Sequence, residues 1–320
     1  MDEGNIRRVM GTKLGLNKRA AIGAGIQQNL PGAGTEKTNL VEESELIGVK
    51  SHMNFAALRD NLVWITGASS GIGLEMALLA AEAGAKLFLF SSRSEPLEKA
   101  AKLCSAKGAM AVHFEVVDLS DCDMAAEAAR RALELDGAPQ ILILNAGISQ
   151  RSFAIDTELT VTSKLMNLNF LGAVGMARVA LTSMIENGGG RFAVTSSLTG
   201  VFGFPLRSSY AASKHALHGY FESLELEYGA QGIRVTLAVL GRIRTKIALR
   251  ALKGDGTRYG NQDSALQVGM DPRRCAAKYW RAILRGRRIK VIGGLEVLMV
   301  FFHRYIPALF RLIVRRIDPR

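Results

Sequence analysis

The chain has 320 residues, 48% of them hydrophobic, and carries a formal net charge of +12 at pH 7. The apolar fraction is ample for a large core, so one catalytic domain with extensions is the economical interpretation. The three cysteines, Cys104, Cys122 and Cys275, lie far apart. Their spacing excludes a C-x-x-C or zinc-like pattern and favours reduced thiols in a cytoplasmic setting.

Residues 1–55 are predicted to form a flexible N-terminal extension, because they combine glycine clusters, one proline and scattered charges without sustained periodicity. The basic segment IRRVMGTKLGLNKR is compatible with a targeting role. However, Asp2 and Glu3 weaken that interpretation, and a secretory apolar core is absent. Met53 is an alternative functional start. We expect the catalytic domain to occupy residues 56–293 and a basic tail to occupy residues 294–320.

The first predicted strand, LVWIT at residues 62–66, runs into the sequence TGASSGIG and then into an alanine-rich helical pattern. Strand, glycine turn and helix in this order are the context that a dinucleotide-binding loop requires, although an isolated run of this kind is often an ordinary turn. Glycines permit the tight turn, the close approach of backbone to pyrophosphate and the close packing of the helix. The predicted cofactor contacts here are Gly67, Ser69, Ser70, Gly71, Ile72 and Gly73.

The second predicted strand, KLFLFSSR at residues 86–93, ends on Ser92 and Arg93. NAD-binding enzymes of this fold usually place an acid here to hold the ribose hydroxyls. A carboxylate would repel a 2′-phosphate, whereas Arg93 can bind one through two donors. The residues therefore favour NADP over NAD, with an exposed surface arginine as the alternative.

Apolar runs and helical patterns alternate from residue 62 to residue 291. This alternation predicts an α/β fold, a Rossmann doubly wound parallel sheet of about seven strands flanked by helices. Asn145, Ala146 and Gly147 follow the strand ILIL, and Asn169 lies in a long helical segment at about residues 156–185. The tyrosine and lysine of YAASK, residues 210–214, share one helical face.

These motifs resemble those of the classical short-chain dehydrogenase/reductase family over about residues 60–294. The resemblance implies a catalytic tetrad of Asn169, Ser197, Tyr210 and Lys214. Tyr210 would be the general acid or base, Ser197 would hold the substrate oxygen, Lys214 would bind ribose and lower the pKa of Tyr210, and Asn169 would anchor a relay water. Two structural alternatives stay open: Ser197 caps a turn, and Asn169 satisfies a helix kink. The resemblance also implies cofactor contacts at Asp118, Leu119, residues 145–147, Ile243 and Thr245.

Simple electrostatics supports the role of the lysine. Lowering a phenol pKa from about 10 to about 7 requires roughly 4 kcal/mol. A cation about 5 Å away at an effective dielectric constant of about 20 supplies roughly 3 kcal/mol. Lys214 is therefore expected to do most of this work, without any metal. His215 and His218 lack acidic or cysteine partners at ligand spacing, so they do not indicate a metal site.

Two segments narrow the resemblance. The segment VLGRIRT, residues 239–245, has Leu240 where most relatives carry proline, and it resembles the 11β-hydroxysteroid dehydrogenase type 1 branch and its dehydrogenase/reductase neighbours. The segment DGTRYG, residues 255–260, resembles those neighbours too. The resemblance implies a lipophilic carbonyl or alcohol substrate that is steroid-, retinoid- or lipid-like, under a loop at residues 246–270. It also implies a homodimer or homotetramer. A cofactor-binding scaffold or redox sensor with little turnover is the alternative function.

Residues 273–320 hold thirteen lysines and arginines against two acids, which accounts for nearly all of the net charge. A spanning helix needs about 20 predominantly apolar residues, whereas residues 297–302 form the longest uninterrupted apolar stretch near the centre of this tail. The pattern instead favours an amphipathic segment lying peripherally on an anionic membrane. Packing on the body or at a dimer interface is the alternative. Nucleic-acid binding is not expected, because the arginines alternate with aliphatic residues.

Overall fold

The computed structural model describes residues 55–261 and 264–316. Its centre is one seven-stranded sheet of order β3-β2-β1-β4-β5-β6-β7, in which every neighbouring pair is parallel. The strands are β1 (Leu62–Thr66), β2 (Lys86–Ser91), β3 (Ala111–Val116), β4 (Ile141–Leu144), β5 (Gly190–Ser197), β6 (Ile233–Leu240) and β7 (Ile289–Ile292). The predicted doubly wound fold is confirmed. The strand order reverses between β1 and β4, and ligands bind at such a reversal, beyond the carboxyl ends of the strands.

Helices cover both faces of this sheet. The helices of the described residues, in chain order, are α1 (Gly71–Glu82), α2 (Ser94–Ala106), α3 (Cys122–Asp136), α4 (Leu159–Met166), α5 (Gly172–Glu186), α6 (Ser208–Tyr228), α7 (Ser264–Gln267), α8 (Pro272–Leu284), α9 (Leu298–Tyr305) and α10 (Pro307–Arg316). All residues of β1 and β4 are buried, as expected for parallel strands that are covered on two sides.

Successive side chains of each strand enter two different cores, because they point to opposite faces of the sheet. Ile65 packs with Met76 of α1 and Trp280 of α8 on one face. Trp64 packs with Met176 of α5 and Phe221 of α6 on the other. The two cores fix the sheet between two layers of helices. The loops at the carboxyl ends of the strands are therefore carried by a packed framework.

A five-residue π-helical segment, Asn167–Leu171, joins α4 to α5. The combined helix, Leu159–Glu186, is the one helix in the described ranges that has the length and apolar composition to cross a membrane. Its apolar character has an explanation within the fold, because Met176, Ala177 and Ala180 are buried in the core. Gly172 allows the carbonyl of Leu119 to pass where a side chain would collide.

The two chain ends differ in what can be described. The predicted extension lies outside the described residues except for Phe55, which is buried in the core together with Leu58. At the other end, α9 and α10 lie against the body. Phe310 is buried there, with its ring centroid 5.0 Å from that of Phe202. Part of the tail therefore packs on the catalytic domain, as the alternative interpretation had it.

Candidate active site

The glycine loop between β1 and α1 has a backbone conformation that residues other than glycine would adopt only with strain. Gly67 and Gly71 have φ angles of +66° and +60°, in the left-handed region. A Cβ atom on Gly73 would lie 2.6 Å from Nδ2 of Asn145 and would also collide with the carbonyl of Gly67. Ser70 precedes α1 in an extended conformation and makes no side-chain cap. The loop therefore offers backbone N–H groups of a helix N-terminus to an anion, which fits a dinucleotide pyrophosphate.

Thr66, the last residue of β1, links this loop to the end of β4. Its Oγ1 accepts hydrogen bonds from the backbone N–H of Asn145 at 2.9 Å and of Ala146 at 3.0 Å. The Asn145 amide also donates to the carbonyl of Thr66 at 3.2 Å. A Cβ on the next residue, Gly147, would be 2.9 Å from Oδ1 of Asn169 and 3.5 Å from Nζ of Lys214. The segment of residues 145–147 thus joins the glycine loop to the predicted tetrad.

Arg93 lies at the beginning of α2 and points back to the glycine loop. Its Nη2 donates to Oγ of Ser69 at 2.6 Å and to Oγ of Ser70 at 2.9 Å. Burial lowers the pKa of Arg93. Ser92 is exposed, whereas Ser91 is buried and its Oγ lies 2.7 Å from Oγ of Ser69. Sequence reasoning selected Ser92 at this position and missed the serine that joins the network.

The predicted cofactor contacts Asp118 and Leu119 lie after β3. The carboxylate of Asp118 is exposed and accepts a hydrogen bond from the N–H of Ser120 at 3.0 Å. Leu119 is buried in the core next to Gly172. The Asp118 carboxylate is therefore open to solvent at the edge of the sheet, and the Leu119 side chain faces inward.

A single cavity of about 270 Å³ brings eight of the predicted site residues together at the carboxyl edge of the sheet. The predicted residues that line it are Ile72, Asn145, Gly147, Ser197, Tyr210, Lys214, Ile243 and Thr245. Ile247 and Leu266 line it as well, so the predicted covering loop does reach the cavity. Its apolar wall includes Leu198, Phe202, Phe204 and Met299.

The four predicted catalytic residues come from three elements. Ser197 ends β5, Tyr210 and Lys214 lie on α6, and Asn169 lies in the π-helical segment. The Asn169 amide donates to the carbonyl of Ile148 at 3.0 Å, and its Oδ1 accepts from the N–H of Ile148 at 2.9 Å. The side chain of Asn169 therefore attaches the π-helical segment to the loop after β4 through two hydrogen bonds.

Ser197 has a structural role and also lies on the cavity. Its Oγ accepts hydrogen bonds from the backbone N–H of Thr199 at 3.2 Å and from Oγ1 of Thr199 at 3.0 Å. The turn-capping alternative is thus observed. The same residue lines the cavity and lowers the pKa of the Tyr210 phenol, so capping fixes the hydroxyl beside the phenol.

The electrostatics of Tyr210 differ from the sequence-based estimate. Burial raises the pKa of the phenol; the hydrogen bond with Ser197 and then the charges of Arg207 and Arg151 lower it. Lys214 donates from Nζ to the carbonyl of Thr195 at 2.8 Å, and Nζ lies 5.9 Å from the centre of the Tyr210 ring. Burial lowers the pKa of Lys214 from 10.5 to about 8. The expectation that Lys214 dominates the phenol pKa is therefore wrong, because the charges that lower it come from Arg207 and Arg151, while the Lys214 ammonium is turned to the carbonyl of Thr195.

Sequence reasoning also missed residues that organise the site. Gln150 is fully buried, and its Oε1 accepts from the N–H groups of Ser209 at 2.9 Å and Tyr210 at 3.2 Å. It thus caps the helix that carries Tyr210. Glu296 lines the cavity and accepts from the N–H of Arg242 at 2.7 Å. These long-range contacts leave no periodic signal that could have revealed them.

The two histidines of α6 contact protein groups, and His218 has an acidic neighbour, contrary to the expectation from the sequence: its Nδ1 lies 3.6 Å from Oε1 of Glu222. His218 Nε2 lies 2.8 Å from Oγ of Ser196, and His215 Nδ1 lies 2.9 Å from the carbonyl of Ala211. Within residues 55–261 and 264–316, no group of three histidine, cysteine, aspartate or glutamate side chains is placed to hold a metal ion.

The family model described as short chain dehydrogenase matches residues 61–254, more than half of the chain. The chain belongs to the classical short-chain dehydrogenase/reductase family. It is 36% identical to dehydrogenase/reductase SDR family member 7B of Xenopus tropicalis over 261 residues, covering 80% of this chain and 84% of that protein. It is 33% identical to dehydrogenase/reductase SDR family protein 7-like of Anopheles gambiae over 273 residues, covering 84% and 86%.

A solved structure shares the fold of this chain. The alcohol dehydrogenase of Thermococcus sibiricus, in complex with 5-hydroxy-NADP, has a TM-score of 0.63 and 22% identity, covering 74% of this chain and 97% of that one. At this identity the likeness concerns the fold alone. Family membership makes this short-chain dehydrogenase/reductase an oxidoreductase that uses a nicotinamide cofactor and acts on a small molecule.

Proposed function

We propose that this short-chain dehydrogenase/reductase transfers hydride between NADP(H) and the carbonyl or secondary alcohol of a lipophilic substrate. The observation that carries the proposal is one cavity that contains Ser197, Tyr210 and Lys214 together with Asn145 and Thr245. Bound NADPH would supply the hydride. Tyr210 would deliver the proton to the carbonyl oxygen, so that hydride and proton together convert C=O to CH–OH. Ser197 would donate a hydrogen bond to that oxygen.

NADP rather than NAD is proposed from the position of Arg93. Its guanidinium reaches both serines of the glycine loop, and burial already disfavours its charge. A phosphate monoester bound there would offset that cost through two charge-assisted hydrogen bonds. Removing the guanidinium should therefore weaken NADPH binding and spare NADH binding.

Steady-state kinetics with both cofactors tests this choice. We expect wild type to prefer NADPH. In Arg93→Ala, the ratio of kcat/KM for NADPH to kcat/KM for NADH should fall by about tenfold or more. Arg130→Ala is the matched control, because Arg130 is exposed on α3 and pairs with Glu127. A wild type that prefers NADH, or an Arg93→Ala variant with unchanged preference, would overturn the assignment.

The substrate class is proposed from the walls of the cavity. Leu198, Phe202, Phe204 and Met299 offer an apolar surface beside the catalytic hydroxyls. Steroid ketones, retinal and long-chain ketones or aldehydes should be screened with NADPH, with Tyr210→Phe as the blank. Turnover of at least one class is expected. Tight NADPH binding without turnover across the screen would instead favour the cofactor-binding scaffold or redox sensor.

The C-terminal helices are proposed to contact a membrane surface peripherally in the cytoplasm. While Phe310 faces the body, Leu298, Phe301 and Tyr305 are 51%, 52% and 68% exposed, and Leu312 is 50% exposed. Exposed apolar side chains, together with the arginines of α10, suit the boundary between anionic headgroups and acyl chains.

Vesicle flotation with phosphatidylserine-containing liposomes tests the membrane contact. The double variant Phe301→Ser/Leu312→Ser should lose flotation. Leu103→Ser/Leu135→Ser is the control, because Leu103 and Leu135 are also exposed, at 48% and 61%, but lie outside the tail. Equal flotation of the two variants would overturn the proposed contact and leave a protein interface as the use of this surface.

A homodimer or homotetramer is proposed through the long helical segment around α4 and α5 together with α6. Leu159 and Leu171 on the former and Leu226 on the latter are exposed, so these helices can bury apolar area against a second copy. Light scattering coupled to size-exclusion chromatography should give a multiple of the 34.6 kDa chain mass. A monomeric mass at micromolar concentration would contradict the proposal.

A further inference from the structure

A second arginine reaches the glycine loop from a distant part of the chain. Arg250 ends a short 3₁₀ turn, Ala248–Arg250, in the loop that covers the cavity. It is half-buried, and its Nη1 donates to Oγ of Ser70 at 3.3 Å. The same oxygen accepts from Nη2 of Arg93 at 2.9 Å. Two guanidinium groups therefore converge on one neutral hydroxyl.

This convergence places like charges together in a partly desolvated position. Burial, and then the positive charges of Arg93 and Arg258, lower the pKa of Arg250. A serine hydroxyl cannot compensate two cations, whereas an anion with several acceptor oxygens would satisfy both at once. The arrangement therefore suits a dianionic phosphate group beside the glycine loop.

We propose that Arg250 is a second guanidinium for the 2′-phosphate of NADP, supplied by the substrate-covering loop. The inference rests on the proposed use of NADP. It adds a specificity residue that lies outside both the glycine loop and the end of β2, the two segments from which cofactor binding was predicted. Ile247, three positions earlier, lines the cavity. The phosphate that Arg250 binds would thus hold the loop that also forms the substrate wall.

Dissociation constants of NADPH and NADH, measured by fluorescence titration of the full-length chain, test the inference. We expect Arg250→Ala to weaken NADPH binding by about 10- to 100-fold, the range for a lost charge-assisted hydrogen bond. NADH binding should change by less than about twofold, and Arg250→Lys should recover part of the loss because it keeps the charge without the fork. Lys253→Ala, which removes an exposed positive charge from the same loop, should leave both constants unchanged.

The outcomes separate this inference from the proposed NADP dependence. If Arg93→Ala weakens NADPH binding but Arg250→Ala does not, the inference on Arg250 is overturned and NADP dependence stands. If Arg250→Ala weakens the binding of NADPH and NADH equally, Arg250 binds the pyrophosphate or stabilises the fold. That result would also overturn the inference on Arg250. A wild type that binds NADH as tightly as NADPH would overturn both.

Discussion

Replacement of Lys214 by methionine should stabilise the cofactor-free protein while it abolishes catalysis. Lys214 is only 4% exposed, and its pKa falls from 10.5 to about 8. At about 1.4 kcal/mol per pKa unit, the folded state carries roughly 3 kcal/mol of unfavourable charge burial at pH 7. Methionine removes that cost, but it leaves the Thr195 carbonyl without the lysine donor, a loss of about 1 to 2 kcal/mol. We expect a net stabilisation of roughly 1 to 2 kcal/mol.

The pH dependence identifies the cause of this stabilisation. Because the folded-state pKa of Lys214 is depressed, the unfolded chain binds the extra proton between pH 8 and pH 10.5. The free energy of unfolding of the wild type therefore rises with pH across that window. Below the window, the full cost of burying the Lys214 charge is present. The advantage of Lys214→Met in urea unfolding should shrink from pH 7 to pH 10. The exposed Lys99→Met is the control. A variant less stable than wild type at pH 7, or an advantage independent of pH, would refute the reasoning.

Three further predictions concern individual side chains of the site. Tyr210→Phe should keep its NADPH dissociation constant and lose about 10²- to 10⁴-fold in kcat, because the proton donor is gone; near-normal turnover would refute the acid/base role. Gly73→Ala should weaken binding of the cofactor and destabilise the fold by about 1 to 3 kcal/mol, because its Cβ would overlap Asn145. Gly203→Ala, at a position with open space, should be neutral in the same titration and thermal melt. Gln150→Ala should cost about 1 to 3 kcal/mol by unpairing two buried N–H groups of α6; unchanged unfolding in urea would contradict that role.

The fold was predictable because its signals are local. The strand β1 is buried throughout, and its first four residues form a continuous apolar run. Gly67 and Gly71 after it have backbone angles that few other residues adopt. Parallel strands place their carboxyl ends on one edge of the sheet. Ser197 and Asn145, far apart in sequence, therefore line the same cavity.

The less predictable features depend on side-chain direction and on loops. The i, i+4 spacing of Tyr210 and Lys214 places them on one helical face, but it does not reveal that the ammonium turns to Thr195. Arg250 meets Ser70 across 180 positions through an irregular loop. Arg207 and Arg151, which act on the phenol pKa, belong to no spacing pattern.

The carboxylate of Glu296 joins the C-terminal tail to the reaction cavity. It accepts hydrogen bonds from the N–H groups of Arg242 and Gly294 at 2.7 and 3.0 Å, and Glu296 and Met299 both line the cavity. Deleting residues 294–320 would consequently breach the chamber and admit bulk water, as well as remove the exposed apolar side chains. Loss of turnover in such a truncated protein would result from the damaged cavity wall. The proposed membrane contact must therefore be tested with point substitutions on the outer surface of the tail.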